Sequence, residues 1–126
     1  MSTDRRHDRG ELGERIAVQH LERRGYEIVA RNARTRHGEL DVVAADERAL
    51  VFCEVKTRVV GGRRGPSGPL DAIGPAKQRR LRALASDWLA RTHDRPFRRE
   101  LRFDAIGVTL TPDDRLVAVE HLEGAF

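Results

Sequence analysis

The segment RHGELDVVAADERALVFCEVKTR, from Arg36 to Arg58, constrains the fold more than any other part of the chain. Two runs rich in Val, Leu and Ala, near Glu39–Ala45 and Leu50–Thr57, flank a polar turn at Asp46, Glu47 and Arg48. Such runs mark strands that lie inside a sheet. A strand sends alternate side chains to opposite faces. Glu39, Asp41 and Val43 therefore share one face of the first strand. Phe52, Glu54 and Lys56 share a face of the second, with Val51, Cys53 and Val55 on the other. Pairing Ala45 with Leu50 across a four-residue turn sets Asp41 opposite Glu54 and Glu39 opposite Lys56, with Cβ atoms roughly 5 Å apart. The geometry depends on that register, because a one-residue slip would send the two carboxylates to opposite faces.

The remaining pattern frames this hairpin. Asp8 and Glu11 resemble a capping box opening a helix over about Arg9–Arg24, with residues 1–8 largely frayed ahead of it. Leu12, Ile16, Ala17, Val18, His20 and Leu21 form its inner face, and Gly25 is a natural stop. A first strand runs from Tyr26 towards Arg34. Glycines and prolines punctuate residues 59–69, predicting a flexible loop that carries Arg63 and Arg64. A second helix follows Pro75, with Leu81, Leu84, Ala85, Trp88 and Leu89 at helical spacing. Leu101–Leu110 and Leu116–Leu122 read as the last two strands. The order α-β-β-β-α-β-β predicts a single α/β domain, a mixed five-stranded sheet flanked by helices.

The chain of 126 residues has no apolar run near the length of a membrane span and no apolar signal core, so no membrane association is expected. One cysteine excludes an internal disulfide and fits a reducing cytoplasm. The five histidines lack zinc spacing, and no phosphate-cradling glycine motif occurs. A net charge of +4 and a pI near 10.2 hint at a polyanionic partner, although a merely basic surface would look the same. Of the 24 basic residues only Lys56 and Lys77 are lysines. An ammonium, unlike a guanidinium, is a compact charge that can lose its proton.

Two carboxylates converging in an apolar sheet repel unless a cation lies between them. Lys56 could serve alone, as a structural ion cluster. Mg²⁺ or Mn²⁺ suits an all-oxygen donor set better and supplies what phosphodiester hydrolysis needs. A lysine beside such a site can stabilise the negative charge that develops.

Asp41, twelve intervening residues and Glu54-Val55-Lys56 resemble the PD-(D/E)XK signature of restriction-endonuclease-like nucleases, with Leu40 where the signature has proline. The wider pattern is more specific: GERIAVQHLERRGYEIVARNARTRHGELDVV, VFCEVKTR, KQRRL and RFDAIGV resemble the YraN-like family of bacterial proteins, from about Gly13 to Leu122. That family is similar in fold to archaeal Holliday junction resolvases. The resemblance implies a restriction-endonuclease-like α/β/α core, metal ligation by Asp41 and Glu54, and catalysis by Lys56 on DNA, branched or otherwise structured. It implies that Glu14 joins the metal site, and that a homodimer cuts opposed strands. Glu14, Ala17, Val18 and Leu21 also share helical spacing, which sets Glu14 at the border of the buried face. An ordinary glutamate near a helix start would fit as well. Glu39 ranks as a supporting neighbour, with Lys56 as its candidate partner. Lys77, in KQRRL, is either a phosphate contact or a solvated lysine. Arg34, Arg36, Arg58, Arg63 and Arg64 bracket the hairpin as candidate phosphate contacts. Asp104, in RFD, is either an auxiliary ligand or the structural partner of an arginine, and the second fits better. The competing function is a non-catalytic nucleic-acid-binding or adaptor protein.

Overall fold

The computed structural model describes residues 2–61 and 73–126, with side chains from Arg6 onward. Arg63, Arg64 and most of the loop expected at 59–69 lie outside the described residues. The elements are α1 (Ser2–Arg23), β1 (Glu27–Thr35), β2 (Gly38–Ala45), β3 (Ala49–Val59), α2 (Pro75–Arg91), β4 (Glu100–Leu110) and β5 (Leu116–Leu122). They follow the predicted order. The five strands form one sheet in sequence order, antiparallel except for the parallel pair β3–β4, between which α2 intervenes in the chain.

Each face of the sheet buries its own core. Ala17, Val18 and Leu21 of α1 pack on Val42, Ala44, Val51, Cys53, Ile106 and Val108. Leu81, Leu84, Ala85 and Trp88 of α2 pack on Leu40, Val43, Leu50, Phe52 and Phe103. The molecule is thus a helix–sheet–helix sandwich, and the alternation read along β3 holds: Val51, Cys53 and Val55 face α1, Phe52 faces α2. No helix among the described residues is long and apolar enough to cross a membrane.

Helix α1 departs from its predicted start. It begins at Ser2, so Asp8 and Glu11 lie inside the helix and do not cap it. Nothing before Gly10 breaks a helix, His7 meets Glu11 one turn on at 3.2 Å, and Arg9 is fastened to the β4–β5 turn through Asp114 and the Pro112 carbonyl, both at 2.7 Å. Its end is as predicted. Gly25 takes φ 92°, and the amides of Gly25 and Tyr26 return to the carbonyls of Glu22 and Leu21. This paired closure is the usual left-handed helix stop.

Gly13 lets α1 lie tightly on β3. A Cβ there would overlap the Thr57 side chain, so any residue larger than glycine forces either that side chain or the helix to shift. Glu14, the next residue, is thereby held beside the end of β3.

One buried charge ties the far side together. Asp104 of β4 has no exposed surface. It accepts two bonds from Arg102, at 2.8 and 2.9 Å, one from the Gly124 amide at 3.0 Å, and meets His121 Nε2 at 2.8 Å. His121 Nδ1 in turn faces His20 Nε2 of α1 at 3.0 Å. With that many donors around it the Asp104 carboxyl is held down to about 2 in spite of its burial. It is a structural partner of an arginine, as its sequence context suggested.

Candidate metal centre

The β2–β3 hairpin is pinned by its turn. Asp46 Oδ1 accepts the amides of Arg48 and Ala49, both at 2.8 Å, closing an Asx turn. The pairs Ala45↔Leu50, Ala44↔Val51, Val43↔Phe52 and Val42↔Cys53 follow, in the predicted register. There the ladder ends. The next pair would be Asp41 with Glu54, and at that point the two strands part. The Asp41 carboxylate takes the place of a backbone partner and accepts the Val55 amide at 2.9 Å.

The parting has a structural origin that the hairpin pattern conceals. Leu40 and Val42 should share a face, yet Leu40 packs under α2 and Val42 under α1. The β1–β2 ladder passes from Arg31↔Val42 to Ala33↔Leu40 without pairing Asn32 to Asp41. Asn32 adopts φ 49°, a left-handed conformation that asparagine tolerates better than most residues. Both strands therefore turn over together at Asn32 and Asp41. The expectation that Glu39, Asp41 and Val43 share a face fails for this reason, as does the opposition of Glu39 and Lys56. Glu39 lies instead beside Arg34, at 3.7 Å, and Asn32.

Four of the predicted side chains meet at the parting. Asp41 and Glu54 approach closely enough to share a proton. Burial first, and the neighbouring Glu54 second, push the Asp41 carboxyl up to about 7, against the opposing pull of the Val55 amide. Beneath them Leu40, Phe52, Leu81, Phe103 and Phe126 form an apolar floor around a space of only about 10 Å³. That leaves no room for bulk water and accounts for the desolvation. Lys77, from the first turn of α2, sets its Nζ 3.0 Å from Glu54 Oε2, with the two side chains 25% and 12% exposed. The contact with Glu54 raises the Lys77 ammonium despite its burial. Burial, then adjacent Lys77, lowers that of Lys56.

Glu14 stands one step back. With the Asn32 amide group turned towards the carboxylates, it donates to Glu14 Oε1 at 2.9 Å and Glu39 Oε1 at 3.2 Å. Burial raises the Glu14 carboxyl, and its charge is among those felt by Asp41. Among the described residues no three His, Cys, Asp or Glu side chains are gathered as a ready-made metal site. The donor set nevertheless fits a hard divalent cation: a buried carboxyl pair under mutual repulsion, oxygen only, with a third carboxylate at its border.

Arg34 and Arg36 are exposed along and beyond the end of β1. Arg58 lines an open groove of about 350 Å³ between α1 and the end of β3, together with Arg6, Arg9, Glu14, Val55 and Thr57. Sequence reasoning missed Arg6, which the longer α1 brings to this groove, and Arg9, which the predicted helix already carried. It also missed Asn32, for which an asparagine inside a strand was the available signal.

The profile of the family described as "Uncharacterised protein family UPF0102" matches residues 13–108. A UPF0102 protein of Symbiobacterium thermophilum is 50% identical over 85% of this chain and 86% of its own length. One from Mycolicibacterium vanbaalenii is 53% identical over 70% of each chain. Another, from Anaeromyxobacter dehalogenans, is 42% identical over 98% of this chain and 87% of its own. The matched region runs from Gly13, where α1 meets β3, through both hairpin strands and α2 into β4, and so spans every residue of the carboxylate–lysine cluster; the chain belongs to the UPF0102 family.

Proposed function

We propose that this protein is a metal-dependent endonuclease of the restriction-endonuclease-like kind, hydrolysing phosphodiester bonds in DNA that is branched or otherwise structured. The observation that carries the reading is the Asp41–Glu54 pair. Two carboxylates pressed together on an apolar floor, one pushed up to about 7, form an oxygen-only donor pair under mutual repulsion. Asp41 and Glu54 would hold Mg²⁺ or Mn²⁺ with Glu14 at its border, and the ion would supply Lewis-acid activation of a phosphoryl oxygen and of water. The chain's own part is positioning and charge. Val55 fixes one oxygen of Asp41 through its amide. Lys56, its ammonium lowered by burial and by Lys77, can stabilise negative charge building on the phosphoryl oxygens, and it gives up a proton more readily than an arginine would. The groove lined by Arg6 and Arg58 leads past Glu14 and offers contacts for a phosphate backbone.

The Lys77–Glu54 ion pair supports the second reading, a nucleic-acid-binding protein whose charge cluster is structural. One experiment separates the two. Purified protein is incubated with Mn²⁺ and labelled duplex, single-stranded, flap and four-way DNA, beside Lys56→Ala and Asp41→Ala. The expected result is cleavage of at least one substrate by wild type alone. Salt-sensitive binding by all three proteins, with no cleavage and no Mn²⁺-induced rise in Tm, would establish the non-catalytic reading.

A further inference from the structure

Lys77 occupies a position that a phosphate contact does not require. Its ammonium is committed to Glu54 Oε2 at 3.0 Å and lies against Lys56. The helix start that carries it is fixed: Pro75 opens α2, the Gln78 amide bonds the Gly74 carbonyl at 2.9 Å, and the Gln78 side chain bonds the Ile73 carbonyl at 3.0 Å. The four-carbon stem beyond that anchor is free to pivot.

We infer that Lys77 is the resident counter-ion of the cation-free site, and that its ammonium must leave Glu54 whenever a divalent cation is taken up there. This inference rests on the reading of Asp41 and Glu54 as cation ligands. The charge count favours it. Asp41, Glu54 and Glu14 bring three carboxylates to the site, and Lys56 and Lys77 already bring two ammonium groups within contact of each other. A divalent ion on Glu54 would add a second repulsion to an ammonium bound to the same carboxylate, in surroundings where burial weakens screening. Lys77 is the one bonded to Glu54, so it is the group displaced. Lys77 is then a competitor that sets how tightly the site takes metal. If it merely held Glu54 in place, its loss would loosen the site and weaken metal binding. The two roles differ in the sign of one measurement.

The test is a Mn²⁺ titration of chelator-stripped full-length protein, read by calorimetry and by the loss of the free-ion paramagnetic signal. Wild type is compared with Lys77→Met, Lys77→Gln and Arg80→Met, each checked for folding by circular dichroism. Arg80 is an exposed charge of the same helix that acts on Lys77, so it controls for loss of positive charge alone. Both Lys77 variants are expected to bind Mn²⁺ roughly three- to tenfold more tightly, with Arg80→Met within about twofold of wild type. Equal or weaker binding by the Lys77 variants, with wild type still binding, overturns the inference and leaves the metal reading standing. No binding by any of the four proteins overturns both. Binding by the Lys77 variants but not by wild type supports both.

Discussion

At the scale of single residues, Asp41 is the group whose ionisation sets the state of the site. Its carboxyl keeps a proton up to about pH 7 in the folded protein, whereas in the unfolded chain it loses it near the ordinary value of 3.8. Across that interval the folded state binds more protons. Stability contributed by the protonated form is therefore present at low pH and lost as pH rises through 7. Asp41→Asn keeps an acceptor for the Val55 amide and removes the charge. In urea denaturation with chelator present, it is expected to stabilise the protein by about 2–4 kcal/mol at pH 8 and by almost nothing at pH 4. Equal effects at both pH values would show that the carboxylates are not under mutual repulsion. The trio Asp41, Glu54 and Lys56 was legible because charges inside a Val-rich hairpin stand out against their neighbours. The contact of Lys77 with Glu54 was not, because nothing in KQRRL states where α2 begins relative to the sheet.

At the scale of elements, the junction of α1 with β3 places Glu14. Alanine ordinarily favours a helix over glycine by about 1 kcal/mol. Gly13→Ala is nonetheless expected to destabilise by roughly 1–3 kcal/mol, because its Cβ would collide with Thr57. Thr57→Ala removes the closest atom, so the double variant should recover part of the loss in a thermal double-mutant cycle. Additive effects would mean that the helix does not rest on Thr57. The strands, their order and the hairpin register could be read from the sequence, since the Asp46 turn and the apolar alternation fix pairing locally. The joint turning-over at Asn32 and Asp41 could not. It depends on one residue of β1, Asn32, in a left-handed conformation, which breaks alternation without breaking the apolar pattern around it. The start of α1 was also misjudged, because Asp8 and Glu11 have the capping spacing while the bonds that hold the first turns come from Asp114 and Pro112, a hundred residues away in the chain.

At the scale of the whole molecule, Asp104 connects β4, β5, the chain end and α1 on the side of the sheet away from α2. Its carboxyl is depressed to about 2, so its stabilisation is present above the unfolded value of 3.8 and lost as pH falls through 2. Asp104→Ala strands Arg102 and is expected to cost about 3–5 kcal/mol at neutral pH, measured by urea denaturation. A cost below about 1 kcal/mol would reduce the network to an incidental contact. The partners in this network, His20, Arg102, His121 and Gly124, span most of the chain, so only RFD hinted at it.

The bond from the Val55 amide to Asp41 has a consequence for dynamics. Beyond Cys53 that edge of β3 has no partner strand among the described residues, and a side chain replaces the missing carbonyl. Any event that draws the Asp41 carboxylate away would leave this amide proton to solvent, while the other edge of β3 stays paired with β4. The hydrogen-exchange rate of one amide, Val55, is therefore a local gauge of what Asp41 is holding. Exchange at Val55 should quicken in Asp41→Ala while that of Val51, within the same strand, stays slow.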